Sequence, residues 1–224
     1  MNNQTENVLN PFEVRDCSLI AIATGIRAQN LRELRDRLET IEQASIYYHF
    51  WGGRLRARFD DPEYNSDFAS WARHSLHDGI LAERIGAIYP TDFDNLEELR
   101  LELIEIIEQR LDESEIVPWA KADQQFGFMT SQIVTFNTNR QVNKPEDFVK
   151  VLPEISYGSI YYHFIDARRR TPDRIDDFSV WLRTFDHQYE DLLEDITKID
   201  LYFATLAEIQ SQLHKIMIKH FGTQ

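Results

Sequence analysis

The hexapeptide SIYYHF stands at residues 45–50 and again at residues 159–164. Six identical residues, including three aromatics and a histidine, do not recur by chance in a chain of 224. The chain therefore reads as one module written twice. An offset of 114 carries residues 12–50 onto 126–164 without a gap, placing Phe12 on Phe126, Thr24 on Thr138 and Leu38 on Leu152. Past the hexapeptide the offset falls to 110, which sets Asp67, Phe68 and Trp71 on Asp177, Phe178 and Trp181. The same offset sets Leu96, Glu98 and Leu103 on Leu206, Glu208 and Leu213. A period this long is not that of a solenoid. It predicts two copies, 12–111 and 126–222, joined by an acidic, unpatterned linker at 112–125.

Each copy reads mainly as helix. Leu31, Leu34, Leu38 and Ile41 recur at helical spacing behind Asn30, which pairs with Glu33 as a capping box. In the second copy Pro145 suits a first helical turn, Phe148, Leu152 and Ile155 take over the stripe, and Pro153 ends it. The hexapeptide falls within the next helix. Another starts near Ser66 or Asp176, with apolar faces at Phe68, Trp71 and Leu76 or Phe178, Trp181 and Phe185. The final helix of each copy carries a capping signal, Asn95 with Glu98 and Thr205 with Glu208. Residues 12–24 and 126–138 are the exception, being rich in β-branched and aromatic residues. They can hold short strands that pair with each other. The expected fold is mainly α, a tandem duplication of a helical module of about 100 residues, with a short strand at the start of each copy.

The charge of −14 disfavours nucleic acid and anionic membranes, which both select positive surfaces. Cys17 is the only cysteine, so no internal disulfide is available and a reducing, cytoplasmic home is expected. The first residues lack the basic start and apolar run of a secretory signal. The longest apolar run, Leu19–Ala23, is far below the ~20 residues that span a bilayer.

Chemistry concentrates around the two hexapeptides. On a helix, Ser45, Tyr48 and His49 share a face, as do Ser159, Tyr162 and His163. One reading is a polar-aromatic pocket with histidine as proton carrier, metal ligand or hydrogen bonder. The plainer one is a packed aromatic helix whose histidine bonds Asp67 or Asp177. Arginines follow each hexapeptide: Arg54, Arg56 and Arg58, then Arg168, Arg169 and Arg170. Their forks suit an anionic ligand such as a sugar phosphate or nucleotide sugar. They equally suit pairing with the 38 acidic residues of the chain. Asp67 and Asp177 stand in a first helical turn, where the helix dipole alone favours an acid. The ligand-site candidates are thus Tyr48, His49, Arg54, Asp67, Tyr162, His163, Arg168 and Asp177. His74 and His77 stand three apart, but no carboxylate completes a metal set with them. No phosphate-cradling, dinucleotide, zinc-protease, serine-hydrolase or EF-hand motif occurs, so no cofactor, metal or catalytic residue is assigned.

Four stretches carry a family likeness: NPFEVR at 10–15, TGIRAQNLREL at 24–34, SIYYH at 45–49 and DFASW at 67–71. With them the chain resembles DUF5752, a bacterial and archaeal family of unknown function. The likeness covers most of the first copy and less of the second, where Asn139 replaces Gly25 and Pro145 replaces Leu31. It implies a cytoplasmic, mostly helical protein and no activity. The expected function is a non-enzymatic interaction or regulatory module with a protein partner or self-association. The alternative is an anionic small-molecule site, with or without catalysis, beside the hexapeptides.

Overall fold

The computed structural model describes residues 10–55, 63–113 and 119–222. The chain opens on a long strand, β1 (Phe12–Asn30), followed by α1 (Leu31–Leu38), α2 (Gln43–Trp51), α3 (Asp67–His74), α4 (Gly79–Gly86) and α5 (Leu96–Asp112). A second strand, β2 (Lys121–Val142), precedes α6 (Phe148–Val151), α7 (Tyr157–Ile160) and α8 (Ala167–Arg170). Then come α9 (Asp177–Leu182), α10 (Glu190–Thr197) and α11 (Leu206–Phe221). Between α7 and α8 the helix continues as a π turn, Tyr161–Asp166.

Helix starts follow the caps that the sequence carries. Asn30 accepts from the Glu33 N–H, Ser66 from Phe68 and Asp176 from Ser179, while Thr205 and Glu208 close a reciprocal box. Each such cap contributes about 1 kcal/mol. Leu31, Leu34 and Leu38 are fully buried, as are Leu81, Leu103, Phe148, Phe178, Ile196 and Leu213.

The architecture differs from a mainly α tandem pair. Helix makes up 57% of the described residues, but the strands are 19 and 22 residues long and form one two-stranded antiparallel sheet. Nor do the compact units coincide with consecutive copies. One is the continuous stretch Leu19–Ile133; the other joins Met1–Ser18 to Val134–Gln224. The stretch read as a linker, 112–125, already contains the start of β2 at Lys121. Here the central unit means Leu19–Ile133 and the terminal unit the discontinuous one.

The reason is visible in the aromatic packing. In the central unit, Phe126 of β2 stacks on Phe68 of α3 with ring centroids 4.8 Å apart, and its edge meets Trp71 at 5.7 Å. In the terminal unit, Phe12 of β1 stacks on Phe178 of α9 at 5.1 Å and meets Trp181 at 5.9 Å. Each helical cluster thus completes its core with the strand that the sequence writes next to the other cluster. A two-stranded ribbon is marginal in water by itself, so these ring contacts add to what its own ladder supplies.

Two left-handed positions bend the strands at matching places, Gly25 at φ 80° and Asn139 at φ 56°. Beside them Thr24 Oγ1 donates to the Phe128 carbonyl (2.8 Å), and Thr138 Oγ1 donates to the Val14 carbonyl (2.5 Å). Left-handed backbone admits glycine freely and asparagine next best, which accounts for the Gly-to-Asn exchange between the two stretches. Gly158 is needed for a different reason, since a Cβ there would overlap the Asp16 carboxylate and the Cys17 carbonyl. Replacing Phe12 or Phe126 by alanine is expected to cost about 3–5 kcal/mol in urea unfolding. Phe136→Ala, on an exposed strand residue, should cost less than about 1 kcal/mol.

Candidate functional site

The sequence placed chemistry at the hexapeptides, and the structure gathers a constellation around each. In the central unit, α2 buries Ser45, Tyr48 and His49. His49 Nδ1 lies 2.9 Å from Asp67 Oδ2, and its Nε2 accepts the Met129 N–H at 3.0 Å. An amide N–H can only donate, so Nε2 offers its lone pair and Nδ1 carries the hydrogen that goes to the carboxylate. Phe68 and Phe126 flank the ring, at 5.1 and 4.7 Å between centroids. Tyr48 meets it edge-on at 5.2 Å.

The terminal unit repeats the pattern. His163 Nδ1 stands 2.8 Å from Asp177 Oδ2, while Nε2 accepts the Arg15 N–H at 2.9 Å. Phe12 and Phe178 flank this ring at 4.8 and 5.8 Å, and Tyr162 meets it edge-on at 5.0 Å. Both histidines are only 3% exposed, so neither ring nitrogen is open to a substrate or metal.

A second matched contact was not anticipated. Trp71 Nε1–H donates to the Gln124 carbonyl at 2.7 Å, and Trp181 Nε1–H donates to the Asn10 carbonyl at 2.8 Å. Each cluster therefore grips its strand with an imidazole that accepts, an indole that donates and a phenylalanine that stacks. The sequence signal lay in the pairing of SIYYHF with D-F-x-x-W, which reads as a unit only when a strand is laid across both.

The arginines are drawn into the fold. Arg168, the candidate in the second set, reaches Asp176 at 3.3 Å and lies over the Phe164 ring at 5.4 Å. It does not reach Asp177. Arg170 does, at 3.0 Å, while also bonding Asp166 at 3.0 Å and the Tyr162 carbonyl at 2.8 Å, with its guanidinium 3.9 Å over the Tyr162 ring. Arg169 also bonds Asp166, at 3.0 Å. In the central unit the candidate Arg54 has its guanidinium over the Trp51 ring at 5.7 Å. Arg56 and Arg58 lie outside the described residues.

Asp176 caps α9 from a buried position and bonds both the N–H and the hydroxyl of Ser179. Burial pushes its carboxyl above the usual carboxylate range, against the pull of Arg168 and Ser179. The Cys17 thiol is raised to about 12, chiefly by burial and then by the Asp16 charge beside it, and Sγ donates to the Gly158 carbonyl at 3.2 Å. It is a packed side chain, not a nucleophile.

Elsewhere, His77 has a left-handed backbone (φ 59°) just past the end of α3, with Nε2 2.6 Å from Asp123. His74 is 3.6 Å from Glu63. Among the described residues no three His, Cys, Asp or Glu side chains are placed to hold a metal ion. A cavity of about 420 Å³ in the terminal unit is lined by Tyr189, Leu192, His220 and Phe221, among others, and by none of the candidates. No described helix is long and apolar enough to cross a membrane.

Fold and constellation together define a two-stranded ribbon held by two helical clusters, each through a buried Asp–His–strand tie. The chain belongs to DUF5752, a family of unknown function, which matches residues 9–218. Among solved structures it is similar to the structure of OrfY from Thermoproteus tenax, with a TM-score of 0.79 at 22% identity over 94% of this chain and 95% of that one. That likeness establishes the fold. It spans the whole ribbon-and-helix architecture as one chain, which again replaces the tandem-module expectation. No curated protein matches the chain.

His49→Ala and His163→Ala should each cost about 2–4 kcal/mol in urea unfolding, because each strands a carboxylate and a strand N–H. Asp67→Asn retains an acceptor for Nδ1–H and should cost less than about 1 kcal/mol. Cys17 should react with a thiol reagent at neutral pH only as fast as the protein unfolds, which stopped-flow labelling in increasing urea will measure.

Proposed function

We propose that the chain is a non-enzymatic interaction or regulatory module, acting through its surface on a protein partner. The full use of both nitrogens of His49 and His163 inside the fold supports this reading most directly. A general base or metal ligand must turn a lone pair toward what it binds; here each lone pair faces a strand amide. Arg168 and Arg170 spend their forks on Asp176, Asp166 and Asp177. An anionic metabolite would have to compete with these carboxylates, of which Asp166 and Asp176 are buried. The charge of −14 supports a partner that is neither nucleic acid nor an anionic membrane, and a lone, buried Cys17 suits the cytoplasm.

A thermal-shift screen of phosphorylated sugars, nucleotides and divalent metals tests it. A ligand at a hundred times its Kd adds about 2.7 kcal/mol to stability, several degrees in Tm. The expected result is no such rise. A rise that disappears in Arg54→Gln or Arg168→Gln would overturn the reading in favour of an anionic small-molecule site.

A further inference from the structure

Among the described residues no strand lies along the outer edge of β1 in the central unit. The described sheet has two strands only, so each has one edge without a neighbouring strand. The Arg15 N–H leaves the ribbon toward His163. Alternation along an antiparallel strand then turns the N–H and C=O of Leu19, Ala21 and Ala23 to that same outer side. The edge ends where the backbone turns left-handed at Gly25 and the Ile26 N–H is taken by Thr24 Oγ1 at 3.1 Å. Ile20 and Ile22, side by side on one strand face, are 51% and 44% exposed.

Proteins guard such edges with lysine, proline or inward-pointing charge. No residue between Asp16 and Arg27 is charged and none is proline, in a chain that is 28% charged. An open, neutral, β-branched edge is a template for another strand.

We propose that this edge is a self-association surface, on which β1 of a second copy pairs antiparallel about a two-fold axis at Ala21. The edge is self-complementary in that register. Leu19 faces Ala23 of the other copy, Ala21 faces its own equivalent, and Ile20 faces Ile22, which covers both exposed isoleucines as cross-strand pairs. Charge singles out this stretch as the place where two copies can approach. Two chains of −14 repel wherever acidic faces meet, and this stretch brings no charge to the contact. Five residues of paired edge bury less than the roughly 1,200 Å² of a standard interface, so the dimer is reversible, with a Kd on the order of 1–100 µM. This deepens the interaction reading and rests on it.

Sedimentation velocity of the full chain from about 1 to 200 µM, spanning that range, tests the proposal. The expected result is a reversible monomer–dimer shift, abolished by Ile22→Lys and by Ala21→Pro and retained by Ile80→Lys, a change at another exposed isoleucine. Ala21→Cys should join two copies by a disulfide on mild oxidation. Facing residues in that register lie about 5.5 Å apart at Cα, within disulfide reach. Ile80→Cys should not cross-link. A chain that stays monomeric throughout overturns the proposal while leaving the interaction reading intact for a different partner. So does a dimer that survives Ile22→Lys and does not cross-link through Ala21→Cys. The thermal-shift result above, and not this one, decides the broader reading.

Discussion

A strand N–H that points away from its own ladder must find an acceptor, because leaving it unpaired in a packed setting costs about 1–3 kcal/mol. At Met129 and Arg15 that acceptor is an imidazole nitrogen. Much follows from this requirement. The imidazole must be neutral with its hydrogen on Nδ1, so a carboxylate must wait on that side, and Asp67 and Asp177 do. Each carboxylate belongs to the first turn of a helix, α3 or α9, where the dipole favours it. One residue on, Phe68 or Phe178 offers its face to the strand's own phenylalanine. Strand, imidazole, acid and helix start are thereby fixed together. The same geometry engages both ring nitrogens of each histidine within the fold.

The two ties differ in their surroundings. In the central unit Tyr48 packs so closely on Gly52 that a Cβ there would sit 2.6 Å from the ring. In the terminal unit the corresponding helix carries on past the hexapeptide through a π turn, in which the Ala167 N–H bonds the Tyr162 carbonyl. The wider turn comes with a buried acid, Asp166, that Arg169 and Arg170 neutralise. A buried acid without partners would be strongly unfavourable, and Arg169 and Arg170 supply the compensating charge. The polar groups of both ties are committed inside, while exposed apolar residues on β1 form an uncharged edge between Asp16 and Arg27.

Several parts of this were legible in the sequence. The caps at Asn30, Ser66, Asp176 and Thr205 were, because a cap is a local hydrogen bond between residues at most three apart. So were the leucine stripes, the pairing of residues 12–24 with 126–138, and Asp67 and Asp177 as the partners of His49 and His163. Strand length was missed, since 19 and 22 residues exceed what local propensity marks as β. Arg168 was named because it aligns with Arg54 at the offset of 114; that Arg170 is the one to reach Asp177 was not legible, because spacing along the chain does not say which way a guanidinium folds back.

Sequence by itself determined that SIYYHF and D-F-x-x-W recur together, where helices begin, and that two β-rich stretches of like composition exist. Only the tertiary structure decided which strand each cluster holds. Because Phe12 and Phe126, or Arg15 and Met129, are interchangeable as a stacking ring or a donated backbone N–H, either strand satisfies either cluster locally. The chain's path sends the first part of β1 to α9 and the first part of β2 to α3, turning an apparent pair of consecutive modules into one continuous and one discontinuous unit.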